Sequence, residues 1–325
     1  MKVLKSALRA CVVAMGITAA AVAHAAYPDK AVSVVVGFPP GGTNDIVARV
    51  ISAELEKRLG QPFVVENKPG AASMLSANQV KRADPDGYTL LVIASGGLVV
   101  NPAIYAPERV TYDSVKDFTP IALLARFPFV LVTGPKLKDI KTLQEFIEYA
   151  KKSPTPLAHG SASSTMELMA NLFSEHAGIK FTNIPYKGSG PTTTDLMGGQ
   201  TDFAFLDTAA VIPAIQAGRL QALGVTTIER SAALPDVPTI DEAGIQGYDA
   251  PIWTSLVAPA GTPQAVVDRL NGQLVEILKD PSVIERFAQL GMATGSADDK
   301  ALAALINSDL ARWKKVADDA GIRVE

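Results

Sequence analysis

One cysteine, Cys11, is all that the 325 residues contain, and it sits in an N-terminal stretch expected to be removed. Without it the mature chain can form no disulfide, thiolate metal site or cysteine nucleophile. Histidine is nearly as scarce: of His24, His159 and His176, the first falls in the same stretch. Carboxylates are then the main metal donors available, and none shows the spacing of an EF-hand loop. Positive charge is not in excess either, with 30 basic against 33 acidic residues, which makes nucleic acid a poor partner. The longest apolar run, "CVVAMGITAAAVA", is about 13 residues, against about 20 needed to cross a bilayer.

That run follows Lys2, Lys5 and Arg9 and precedes Ala23-His24-Ala25. Basic start, short apolar centre and A-x-A end make residues 1–25 a secretory signal. Cys11 opens the apolar stretch, whereas a lipid-modified cysteine would close it. An exported chain free of disulfides fits a bacterial periplasm. Losing Lys2, Lys5 and Arg9 leaves 27 basic against 33 acidic residues, a net charge near −6.

What remains is 48% hydrophobic and 19% charged over the whole chain, enough for one large or two medium domains. One unit recurs loosely: a short β-branched run, a Gly/Ser/Pro/Thr loop, then a helical pattern. "AVSVVVGF" leads into a helix from about Asn44 to Leu59, closed by Gly60, and "YTLLVIA", "PLAHG", "TNIPYKG" and "TDFAFLD" each open a similar unit. Alternation of this kind predicts α/β architecture with parallel sheets covered on both faces. "LLARFPFVLVTG" and "PIWTSLVAPAGTP" break the rhythm and read as two strands crossing between lobes. The expected division is therefore residues 26–127 with 257–325 as one lobe and 128–256 as the other. The last stretches are helical by their 3.6-residue spacing and are expected to pack back on the first lobe.

Six motifs in order, "YPDKAVSVVVGFPPGGTNDIVAR", "LGQPFVVENKPGAAS", "DPDGYTLL", "NIPYKGSGPTTTDLMGGQTDFAF", "AGRLQALGVTTIERSAALPDVPTIDEAG" and "APAGTP", run from Tyr27 almost to the C-terminus. Their succession resembles the Bug family, also called TctC, the periplasmic solute-binding receptors of tripartite tricarboxylate transporters. The resemblance implies a type II periplasmic-binding-protein fold: two α/β lobes joined by two crossing strands, with a ligand cleft between them. It implies a monomer without catalytic activity or cofactor. It also implies a small carboxylate ligand, whether amino acid, hydroxy acid or di- or tricarboxylate, delivered to integral-membrane permease subunits.

Open α/β sheets bind ligands outside the carboxyl ends of their strands, which directs attention to five loops. In "GFPPGGTND", Gly41 and Gly42 let the backbone approach a ligand, Pro39 and Pro40 restrict the turn, and Thr43 or Asn44 caps a helix whose first amides are free. Such an N-terminus seats an anion without arginine. From this loop the candidate contacts are Phe38, Pro40, Gly41, Gly42, Thr43 and Asp45. "ASGG" adds Ser95 and Gly96; "HGSASST" adds His159, Gly160, Ser161, Ser164 and Thr165; "PYKGSG" adds Tyr186 and Gly188; "LDTAA" adds Asp207 and Thr208.

Blander roles stand beside these. Asp45 can pair with Arg49 at i, i+4, Ser161 and Thr165 can be helix caps, Asp207 a plain N-cap, Lys187 a solvated surface lysine and Trp253 core or hinge packing. The loop "HGSASSTMEL" departs from the family, many of whose members resemble Gly-Ser followed by further glycines, a serine and a His-Leu pair. Here Gly160 and Ser161 remain, while Ala162, Ser163, Met166 and Glu167 stand in the other places. If Asp45 and Asp207 both face the cleft, they favour an acid that carries an ammonium or hydroxyl donor. Other functions are a sensor subunit, which needs the same cleft, and an exported hydrolase. The hydrolase lacks the G-x-S-x-G elbow and would depend on His159 as its base.

Overall fold

The computed structural model describes residues 27–319 and 321–323, so the signal reading of residues 1–25 lies outside the described residues. The strands are β1 (Val32–Val36), β2 (Phe63–Asn67), β3 (Thr89–Ala94), β4 (Phe118–Phe127), β5 (Phe129–Thr133), β6 (Leu157–Ser161), β7 (Phe181–Pro185), β8 (Phe203–Asp207), β9 (Gln221–Val225), β10 (Ile252–Pro259) and β11 (Ala293–Ser296). The α-helices are α1 (Thr43–Leu59), α2 (Met74–Val80), α3 (Asn101–Ile104), α4 (Leu143–Lys152), α5 (Ser164–Ala177), α6 (Ser189–Met197), α7 (Thr208–Gln216), α8 (Gln264–Lys279), α9 (Pro281–Ala288) and α10 (Asp299–Asp319).

Two sheets form, one per lobe. The first has the order β11-β4-β10-β3-β1-β2 and the second β7-β6-β8-β5-β9. The apolar runs "VSVVV" and "TLLVIA" are central strands of the first sheet and are covered on both faces, which is why they lack polar alternation. Parallel pairing joins β1 to β2 and β3, and β6 to β7 and β8. The expectation of parallel sheets is corrected at the crossing strands. β10 runs antiparallel to β3 and β4, and β5 antiparallel to β8 and β9, so both sheets are mixed. A chain that leaves one sheet and enters the other without a covering helix arrives reversed.

The two crossings are short and each contains a proline. Pro128 alone separates β4 from β5, and Pro251 precedes β10. Proline donates no hydrogen bond to a ladder, so the sheet ends there. Thr226 links the crossings: its Oγ1 accepts the Phe129 amide at 2.9 Å and donates to the Ala250 carbonyl at 3.2 Å. From Ile252 onward β10 pairs with Phe127 and its neighbours in β4, so the sequence boundary at 256 falls inside a strand of the first sheet. Trp253 is core, 2% exposed, and its Nε1 donates to Asp309 Oδ2 at 2.7 Å, fixing β10 to α10. The C-terminal helices thus pack on the first sheet, joined by the short edge strand β11 that helical spacing did not announce.

Helix ends follow the local chemistry. Gly60 closes α1 at φ 72°, left-handed, with its amide on the Glu56 carbonyl. Thr142 and Glu145 form a reciprocal capping box on α4. Among the described residues no helix is long and apolar enough to cross a membrane.

Candidate functional site

The strand-to-helix loops of the two lobes face each other across a cavity of about 430 Å³. Four helices begin on it. α1 starts after Gly42, α5 after Ser163, α6 after Gly188 and α7 after Asp207, and each of these four N-terminal residues lines the wall. Each N-terminus carries roughly half a positive charge and amides with no partner inside the helix. Gly42, and not Thr43 or Asn44, is the N-cap of α1, so no side chain covers those amides. Gly41 adopts φ 84°, a conformation that costs a residue with a Cβ about 1–2 kcal/mol. Asn44 is engaged elsewhere, accepting the Thr254 hydroxyl at 2.7 Å.

Of the expected contacts, Phe38, Pro40, Gly41, Gly42, Thr43, Gly96, Ser164, Thr165, Gly188 and Asp207 line this cavity. Ser161 and Tyr186 line an adjoining space of about 540 Å³ that shares Phe38, Pro39, Ala72 and Lys187 with the first. The Tyr186 hydroxyl donates to Asp195 at 2.9 Å, and Ser161 donates to the Ser163 carbonyl at 3.0 Å. Ser163 is the true cap of α5, accepting the Met166 amide. Glu167 also lines the second space, where burial raises its carboxyl above the usual range against a lowering contact from Asn183.

Five candidates lie elsewhere. Asp45 is 2% exposed and accepts from the Gly41 amide at 2.9 Å, Arg49 Nε at 2.9 Å and Asn67 Nδ2 at 2.8 Å. Burial alone would raise its pKa, but these donors outweigh it and hold the carboxyl below the usual range. Its role is to fix the loop, and only Asp207 of the two aspartates faces the cleft. Ser95 is buried under Trp253, whose amide it meets at 3.5 Å. Gly160 packs against α6, where a Cβ would come within 2.7 Å of Thr192 Cγ2. Thr208 is buried against Gly291 of the other lobe. His159 is fully buried in β6 among Phe181, Phe203 and Phe205, with Nδ1 2.9 Å from Asn183 Oδ1. Burial lowers its pKa to about 4, so it is a neutral core residue and no base for a serine. Strand alternation points it into the sheet's covered face, away from the loop.

Sequence reasoning missed Phe127, Phe129 and Ile252, the ends of the crossing strands, which supply apolar wall. It also missed Ala72. Ala71, Ala72 and Ser73 take φ of 46°, 51° and 73° in succession, a left-handed turn without glycine. Asn101 Nδ2 donates to the Ala72 carbonyl at 2.8 Å and holds that turn against the cavity. Asn101 Oδ1 in turn accepts the Ser164 hydroxyl at 2.7 Å, a buried hydrogen bond from one lobe to the other. Thr165 abuts Gly96 across the same cleft, so closely that a Cβ on Gly96 would lie 2.2 Å from Thr165 Oγ1.

The family profile described as "Tripartite tricarboxylate transporter family receptor", TctC, matches residues 47–322. The chain belongs to this TctC receptor family. Among solved structures, Rpa4515 of R. palustris with adipate is similar at TM-score 0.88 and 34% identity, over 91% of this chain and 99% of that one. Periplasmic binding protein BugD gives 0.85 and 34%, over 92% and 100%. MatC (Rpa3494) from Rhodopseudomonas palustris with bound malate gives 0.83 and 34%, over 89% and 99%. The two mixed α/β lobes of this TctC receptor are thus a periplasmic-binding-protein fold, and the family is one of binding proteins, not enzymes.

Proposed function

We propose that this TctC receptor works in the periplasm as a monomer, closes on a small carboxylic acid, and hands it to integral-membrane permease subunits of a tripartite tricarboxylate transporter. The observation that carries this reading is the convergence of four helix N-termini on one cavity between lobes. A single N-terminus contributes about 0.3–2 kcal/mol through its dipole, and a charge-assisted hydrogen bond about 1.5–3. Micromolar binding needs about 8 kcal/mol. Several seats acting together reach that figure without an arginine. The relatives solved with adipate and with malate each hold a dicarboxylate, which supports the ligand class. The signal at residues 1–25 supports the compartment.

A thermal-shift screen of the mature protein against adipate, malate, glutamate and citrate tests the ligand class. An acid at 100 times its Kd adds about 2.7 kcal/mol of stability and raises Tm. A panel in which no acid raises Tm, or only a neutral sugar does, overturns the reading. Uptake of the same acid that persists after the permease genes are removed would refute the delivery step.

A further inference from the structure

Asp207 occupies the N-cap of α7, where an aspartate ordinarily accepts the amide of the second or third helical residue. Here its side chain makes no such bond. Ser189, the first residue of α6, donates instead to Asp207 Oδ2 at 2.6 Å and turns the carboxylate towards the cavity both residues line. The first amides of α7 are thereby left uncapped, and Ala209 and Ala210 line the same wall. An acceptor and a set of free donors thus stand side by side.

Across the cleft, the polar side chain that acts on the Asp207 carboxylate is Thr43. Thr43 is 4% exposed and lines the cavity, and its Oγ1 has no hydrogen-bond partner. It is near enough to favour the ionised form of Asp207, though burial, the larger effect, still raises that carboxyl above its usual range. Among the described residues no arginine lines the cavity and Lys187, exposed, is its one cation.

We propose that Asp207, oriented by Ser189, selects the ligand by accepting a hydrogen bond from a hydroxyl or ammonium on the carbon next to the carboxylate seated on α7. This rests on the carboxylate-receptor reading above. A methylene at that point leaves Asp207 desolvated without a donor, and a second bare carboxylate meets like charge. A site built to receive a donor rejects the analogue that lacks one more strongly than it rejects a change of size.

Succinate, malate and aspartate share four carbons and two carboxylates and differ at one carbon in hydrogen, hydroxyl or ammonium. Isothermal titration calorimetry on the mature protein is expected to find malate or aspartate bound about tenfold or more tightly than succinate. Asp207→Asn should bring that ratio close to one, and Ser189→Ala should reduce it in part. Circular dichroism checks that both variants fold; if Asp207→Asn does not, the Ser189→Ala ratio decides. Equal wild-type affinities, a ratio unmoved by the variants, or binding of adipate alone overturns the proposal. If none of these acids nor glutamate binds, the receptor reading itself fails, and the selectivity with it.

Discussion

Asp45, behind one wall of the cleft, and Asp207, on the other, both stand in the first turn or at the cap of a helix that begins there, and the two lobes use them in opposite ways. In the first lobe Asp45 is saturated by three donors and turned inward to the protein, so the loop Phe38–Gly42 is a rigid apolar and backbone surface. In the second lobe Asp207 has one side-chain hydrogen bond and faces the cavity. Residue type is the same, but Asp45 is the third residue of α1 and Asp207 the N-cap of α7, and different neighbours reach each carboxylate first. Arg49 is one turn along α1 and Asn67 one strand away, whereas α7 offers Asp207 neither.

The largest effect should come from breaking the saturated side. Asp45→Ala removes three hydrogen bonds and leaves the Gly41 amide and Asn67 amide short of an acceptor. It should cost about 2–4 kcal/mol by urea unfolding, with little of it from the exposed Arg49 pair. A loss under about 0.5 kcal/mol would mean the network does not hold the loop. Next is the contact that brings the walls together: Gly96→Ala should prop the cleft open, lowering ligand affinity about tenfold or more with folding stability nearly unchanged. Small-angle scattering that still shows full compaction with ligand would count against it.

Ser164→Ala tests the buried hydrogen bond that Ser164 makes to Asn101 of the other lobe. It strands Asn101 Oδ1 and should weaken binding about fivefold, near 1 kcal/mol; unchanged affinity would show that the bond forms equally in the open state. The smallest effect belongs to the unsaturated side, where Asp207→Asn should stabilise the ligand-free protein at neutral pH by about 0.5–1 kcal/mol.

The pH dependence of the two aspartates has opposite sign. Asp45, with its folded pKa depressed, stabilises the fold above the ordinary carboxylate range, and this is lost as pH falls through the lower folded value. Asp207, with its folded pKa raised, costs stability while charged, and that cost is relieved as pH falls through the raised value. His159 adds a loss between its ordinary 6.5 and about 4, common to wild type and variants. Subtracting the Asp45→Asn and Asp207→Asn curves from wild type therefore isolates each term, and slopes of the same sign would refute the contrast.

Much of this was legible in the chain. The strand-loop-helix units, the Gly60 cap, the Pro128 crossing and the cleft-facing loops all follow from local pattern. Strand direction was not, because a buried strand reads alike in either sense, and so the mixed sheets and the 252–256 segment of β10 were misjudged. Asp45 and Asp207 also read alike, since the donors that separate them are distant in sequence. His159 was placed with its loop although it is the third residue of β6, where alternation sends it into the aromatic core. The left-handed turn at Ala71–Ser73 follows Gly70 but itself contains no glycine, and it is held by Asn101, 29 residues from Ala72.

The helix starts that converge on the cleft, three of them without a side-chain cap, have a consequence for how this receptor tolerates genetic drift. An amide hydrogen belongs to every residue but proline, so no other exchange of side chains at Gly42, Gly188 or Ala209 deletes the group proposed to meet the anion. Alanine scanning of the cleft should therefore find few positions that abolish binding outright, and the attraction for acids can survive extensive divergence of the wall. What such a scaffold exposes to selection is the small remainder, one hydroxyl or carboxyl at a time. A lineage can thus change which acid it prefers through single substitutions while never passing through a form that binds none.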